Sequence, residues 1–293
     1  MQPDPSLAQL RQLCSEYIAV PLGTGLNLEA RDRCFLFFGP QGTGKSLMVQ
    51  AIAHETNSLI LDLSPDIVAD RFTDRQNITK YMYMVFKVAK HFQPAIIWID
   101  EIEHYFPGKK KPAKGKRGGP TVGRCLKFKR DLIAQVKKHL TPDDKVAIIA
   151  CSNKPYLGNV REMSKFFYRS FYFPYPDYTS RALLFKHLVA KHGATLTENF
   201  PLSMFAHITE GYTPSSFVQA IQKVMTARRK KQLDMRPLTM EDFIGPLSQS
   251  YCCLAEEYAQ FREFNDVVTG IKERRAKKEA PDGDKAKPNK KKN

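Results

Sequence analysis

The sequence predicts an α/β fold: five parallel strands sandwiched by helices, then a small helical lid and a C-terminal helix with a basic tail. Three observations carry this. Five short, mainly apolar runs, at 34–38, 58–63, 95–99, 145–151 and 170–173, have the length and composition of buried parallel strands. They alternate with stretches of helical periodicity, the pattern of a parallel sheet with crossover helices. From Asp177 onward the periodicity is helical throughout, at 178–191, 201–208, 215–233, 239–247 and 250–279.

The elements follow in order. Residues 6–20 place Leu7, Leu10, Leu13, Tyr17 and Ile18 on one helical face, and Pro21, Gly23 and Gly25 are expected to end that helix. The run Cys34–Phe38 leads directly into Gly39-Pro40-Gln41-Gly42-Thr43-Gly44-Lys45-Ser46. This stretch fits the phosphate-binding pattern G-x-x-x-x-G-K-[ST] at every fixed position. Leu47, Met48, Ala51 and Ile52 then recur at helical spacing, so the motif has the strand before it and the helix after it that give it meaning. Glycines let successive backbone N–H groups turn toward an anion, and the helix beginning near Lys45 adds the positive end of its dipole. Lys45 is expected to reach the β- and γ-phosphates of ATP, or the β-phosphate of ADP, and the Ser46 hydroxyl to ligate Mg²⁺.

Residues 67–69 and 78–91 read as helical, with Met82, Val85, Phe86 and Ala89 inward. The third apolar run ends in Asp100-Glu101, two carboxylates at the carboxyl edge of a sheet, where open α/β folds bind ligands. Asp100 is expected to hold Mg²⁺, and Glu101 to polarise an attacking water. Residues 108–122 form a basic, Gly- and Pro-containing insert. Helical spacing resumes over 123–139 through Leu126, Leu132, Ile133 and Val136. The fourth run is followed by Ser152-Asn153, and the fifth is closed by Pro174 and Pro176.

The chain carries a formal net charge of +16, and two stretches hold all of it. Residues 108–130 contain ten Lys/Arg and no acid, and 272–293 contain ten basic and four acidic residues. Such stretches suit acidic partners. The aromatic interleaving of single-strand nucleic-acid platforms is missing, and no motif that reads DNA or RNA is found, so nucleic acid is disfavoured. Six cysteines without a C-x-x-C pair argue against zinc and a disulfide framework, hence for a reducing compartment. The polar first residues do not read as a signal peptide, and no apolar stretch reaches membrane-spanning length.

Together these residues resemble an AAA ATPase module over about residues 20–250. Gly39 to Ser46 resembles its Walker A loop, Ile96 to Glu101 its Walker B strand, and Asn153 its sensor 1. Phe173-Pro174-Tyr175-Pro176-Asp177 resembles the junction between sheet and lid, and Thr209-Glu210-Gly211-Tyr212-Thr213 the start of the lid helix beside the adenine. The resemblance implies a nucleotide held between sheet and lid, with Gly211 and Tyr212 in contact, and a pore-loop aromatic at Phe72. It divides the chain into an N-terminal helix and linker (1–25), a nucleotide-binding α/β domain (26–176), a lid (177–249), and a C-terminal helix and tail (250–293).

The stretch 83–94, the turn 140–145 and the basic C-terminal helix are similar to the IQ-and-AAA-domain family, subunits of the nexin–dynein regulatory complex of cilia and flagella. That similarity implies an axonemal location, with other subunits of the complex and the doublet microtubule as partners. No IQ motif is present here.

Departures from the AAA pattern bear on activity. Where active members place two arginines before the junction, this chain has Ser164-Lys165-Phe166-Phe167; Arg161 and Arg169 are nearby. An arginine finger is worth about 10³–10⁵ in rate. Pro214 replaces a small lid residue, and Thr73-Asp74 replaces the pore glycine. The reading favoured by the sequence is therefore a nucleotide-binding interaction subunit with weak or switch-like hydrolysis, without ring-type threading. The alternative is an active, microtubule-associated remodelling ATPase, supported by intact Lys45, Ser46, Asp100 and Glu101. A nucleic-acid-dependent ATPase stands behind both.

Overall fold

A computed structural model describes residues 4–25, 29–68, 75–108, 120–197, 199–233, 235–272 and 274. Phe72, Thr73 and Asp74, most of the basic insert and the tail beyond 274 lie outside the described residues.

Five strands form one parallel sheet: β1 (Cys34–Phe38), β2 (Leu59–Asp62), β3 (Ala95–Ile99), β4 (Val146–Ser152) and β5 (Arg169–Tyr172). Their order is β2-β3-β4-β1-β5. β1 lies between β4 and β5, with Leu36 opposite Ala150 on one side and Ser170 on the other. Because β1 neighbours β4, the loop after β1 opens beside the carboxyl ends of β3 and β4, the place where such sheets bind ligands.

Side chains of β1 alternate between two cores, as the two-residue period of a strand requires. Cys34, Leu36 and Phe38 face the helices Arg75–His91 and Pro120–His139 and the C-terminal helix Ala255–Val268. Phe35 and Phe37 face Leu10, Ile18, Val49 and Ile52. Tyr258, Phe261 and Phe264 bring the C-terminal helix back onto the sheet, where the Phe264 ring meets Phe38 edge-on at 4.9 Å. The lid has its own core around Phe185, whose ring lies 4.2 Å from Phe205 and 5.0 Å from Phe243.

Three local expectations need correction. Pro21 does not end the first helix. Leu7–Cys14 passes into a π turn, Ser15–Ala19, in which the Val20 N–H reaches back five residues to Ser15 O, and Val20–Thr24 continues to Gly25. The shifted register accommodates a residue that cannot donate. Along Lys45–Glu55 the buried face is Lys45, Val49, Ile52 and Ala53, whereas Leu47 is 68% exposed. Apolar spacing alone misassigned the face because Leu47 lines a cavity instead of the core. The stretch 215–233 is two helices, Pro214–Val224 and Ala227–Lys231, interrupted at Met225. A further helix, Val160–Phe166, occupies the segment where arginines were sought.

Candidate functional site

The phosphate loop is built from backbone conformations that side chains resist. Gly39, Gly42 and Gly44 have φ of 154°, 81° and 96°. A Cβ on Gly39 would sit 2.1 Å from Phe173 O, and one on Gly42 would sit 2.6 Å from Ser215 Cβ. The first contact locks the loop to the end of β5, and the second locks it to the lid. Gly44 has open space around it and serves as the N-cap of helix Lys45–Glu55, so its need for glycine is conformational alone.

Lys45 is buried beneath this loop. Its ammonium donates to Gly39 O at 2.9 Å and Pro40 O at 2.7 Å, while Thr43 Oγ1 donates to Pro40 O at 3.0 Å. Burial lowers the lysine pKa to about 8; Cys151, Asp100 and Glu103 oppose the fall. An anion entering the loop would meet a cation already stripped of water and held at the loop's floor.

A cavity of about 420 Å³ opens above. Its walls include Gln41, Gly42, Gly44, Lys45, Ser46 and Leu47 from the loop and its helix, with Asp100 after β3, Asn153 after β4, and Pro214, Ser215 and Val218 from the lid. The expected metal ligands Ser46 and Asp100 therefore share one cavity with Lys45 and Asn153. Pro214 is the first residue of helix Pro214–Val224, where a missing N–H costs nothing. The following residue, Ser215, donates its N–H to Gly42 O at 3.1 Å.

The remaining expected residues are placed otherwise. Glu101 has φ 47°, and its carboxylate faces His104 at 3.2 Å. Gly211 and Tyr212 lie between two lid helices and pair with the segment that leads to the C-terminal helix: Gly211 O accepts from Cys253 N–H at 2.9 Å, and Tyr212 bridges Cys252. Arg169 places its guanidinium 3.8 Å from the ring centre of Tyr17, on the N-terminal helix, and Phe167 is buried.

Three residues overlooked in the sequence hold the carboxylates in place. Ser64 Oγ donates to Asp62 Oδ1 at 2.5 Å and accepts the Asp100 N–H at 3.0 Å. Asp100 Oδ1 accepts the Glu101 N–H at 2.9 Å. Burial raises the Asp100 pKa, and the Glu101 N–H and Lys45 act against this. Glu103 accepts from Ser152 Oγ at 2.7 Å and from Lys154 N–H at 3.1 Å, tying the turn after β3 to the end of β4. The available signal was Asp62, a carboxylate ending an apolar run as Asp100 does, with a serine two residues on.

Comparison with known proteins agrees with this geometry. Residues 35–174 match the model of the ATPase family associated with various cellular activities (AAA). Dynein regulatory complex protein 11 of Mus musculus is 31% identical over 274 residues, covering 90% of this chain and 31% of that protein. Spastin of Ixodes scapularis is 27% identical over 279 residues, covering 88% of this chain and 41% of that protein. The chain thus spans less than half the length of either relative. In fold it is similar to the FIGL-1 AAA domain in complex with ADP (TM-score 0.65, 16% identity, 93% of this chain and 91% of that one). It is similar also to a structure solved for katanin self-assembly (TM-score 0.65, 19% identity, 89% and 88%). Phosphate loop, paired carboxylates, sheet order and family match coincide, and the chain carries an AAA ATPase domain.

Proposed function

We propose that the chain is an ATP- or ADP-binding subunit of the axonemal nexin–dynein regulatory complex in cilia or flagella, acting as a structural component with weak or switch-like hydrolysis. The observation that carries this reading is a contrast within one molecule. The loop that would grip phosphates is complete, with Lys45 buried beneath it, while 164–167 offers no arginine and Arg169 is stacked on Tyr17. Lys165 supplies charge without the planar fork that grips a phosphoryl group.

The donor set fits nucleotide and metal. Residues 39–46 form a cradle in which a Cβ at Gly39 or Gly42 would strike backbone or lid. Ser46 and Asp100 are the oxygen ligands that would hold Mg²⁺, with the hard-donor chemistry that this ion prefers. Bound Mg²⁺ supplies charge neutralisation at the phosphates. Asn153 presents an amide to the same cavity. Glu101 supplies a carboxylate for orienting water once it leaves His104. The similarity to a dynein regulatory complex protein supports the axonemal location, and basic segments 108–130 and 272–293 suit acidic partner subunits and the doublet microtubule.

A second reading, an active microtubule-associated remodelling ATPase, is favoured by the presence of Lys45, Ser46, Asp100 and Glu101 together and by the similarity to spastin. Single-turnover ATP hydrolysis at increasing protein concentration, with Lys45→Ala as control, separates the two. Nucleotide binding with slow turnover that stays flat with concentration is expected. Turnover rising many-fold on self-association overturns the first reading in favour of the second.

A further inference from the structure

Helix Arg75–His91 turns an apolar ridge outward. Met84 is 57% exposed, Val88 39% and Phe92, just past the helix end, 58%. Their spacing of four makes them one ridge of the kind that packs into the grooves of another helix. Beneath, Ile78, Met82, Val85, Phe86 and Ala89 fill the sheet core, so the helix is anchored by its other face and, among the described residues, the ridge stands outside that core. Contiguous exposed apolar side chains rimmed by polar ones mark association surfaces.

The rim specifies the partner. The helix contains no Asp or Glu. Lys80 and Lys87 are exposed beside the ridge. The nearby carboxylate Asp144 is engaged by Lys90 at 2.8 Å. Asp131 of the adjoining helix accepts from Thr79 at 3.0 Å, and an apolar stripe flanked by acids complements the ridge and its two lysines.

We infer that the outer face of helix Arg75–His91, along Met84, Val88 and Phe92, docks an acidic amphipathic helix of a partner protein. This deepens the proposed role as an interaction subunit, because it assigns a surface and a partner chemistry apart from the basic insert and tail. A regular helix is favoured over an extended tail because a ridge at i, i+4, i+8 is matched by a helical groove.

The test uses the full 293-residue chain and two labelled 28-residue peptides, both with Leu at heptad a and d positions. One has Glu at e and g, and the other has Lys there. Fluorescence anisotropy is expected to show micromolar binding of the Glu peptide, weakened by salt, and at least tenfold weaker binding of the Lys peptide. M84E/V88E/F92E should abolish binding, while K80E/K87E should reverse the preference between peptides. Thermal stabilisation by MgADP, measured on every variant, reports folding and tests the nucleotide reading separately. Failure of the Glu peptide to bind while MgADP stabilises the chain overturns the docking inference alone. Equal binding of both peptides overturns it, as does binding indifferent to M84E/V88E/F92E. Dimerisation of the chain that the same triple variant removes also overturns it, by making a second copy the occupant.

Discussion

The Ser215 N–H donates to Gly42 O at 3.1 Å, so the first turn of the lid helix is bonded to the phosphate loop. A Cβ on Gly42 would meet the Ser215 Cβ and Thr213 Oγ1, at 2.6 and 2.9 Å. A hydrogen bond and a close approach thus tie loop to lid at this point. Lys45, bonded to Gly39 O and Pro40 O, stiffens the same loop from below.

Substitution within the loop should separate space from backbone conformation. Gly44→Ala, at φ 96° with nothing within 4 Å, is expected to cost about 1–2 kcal/mol. Gly42→Ala, at φ 81°, adds the collision with the lid and should cost about 2–4 kcal/mol. It should also weaken MgADP binding by more than Gly44→Ala does. Urea unfolding and titration calorimetry on both variants check this; equal costs would mean that the lid yields freely.

Nucleotide affinity should depend on pH through Lys45. Burial lowers its folded pKa to about 8, so the ammonium is present below that pH and lost above it. Affinity for MgADP is expected to be flat below about pH 7, to bend through pH 8 and to fall by up to about tenfold per unit above. Lys45→Arg, charged throughout, should remove the dependence. For the unliganded chain the sign is opposite. The unfolded lysine still binds its proton up to its ordinary value of 10.5, so stability from this group rises with pH between about 8 and 10.5. Denaturant midpoints of wild type and Lys45→Met across that window test it.

Ser64→Ala should uncouple the ends of β2 and β3. Asp62 loses a hydroxyl donor and the Asp100 N–H loses its acceptor, at a cost of about 1–3 kcal/mol. Because Asp100 is one of the proposed Mg²⁺ ligands, the Mg²⁺-dependent part of ADP binding should weaken more than the Mg²⁺-independent part. Calorimetry with and without Mg²⁺ distinguishes this from simple destabilisation, which would weaken both alike.

Much of the fold was legible in local pattern. Cys34–Phe38 and Ala95–Ile99 are uninterrupted apolar runs of strand length, and the structure keeps those limits. Tyr178–Lys191 likewise keeps the limits read from the sequence, and the structure adds Asp177 as its cap. Periodicity failed where a residue answers to more than its place in a regular helix. Leu47 is apolar but faces the cavity, and Pro21 is tolerated because a π turn supplies the register. Phe166 and Phe167 gave no helical signal because their rings pack on Phe106 from another element.

The sequence by itself determined that a glycine loop follows a buried strand, that Lys45 and Ser46 close it, and that Asp100-Glu101 ends another strand. Fixed spacings along the chain encode these features, because each needs only its own strand, turn or helix. Only the tertiary structure decided which of them meet. The order β2-β3-β4-β1-β5 brings Asp100 and Asn153 beside Lys45, and the return of the lid places Pro214 and Ser215 over Gly42. It also set Arg169 on Tyr17. Contacts between residues far apart in the chain depend on strand order and packing, and no local spacing records them.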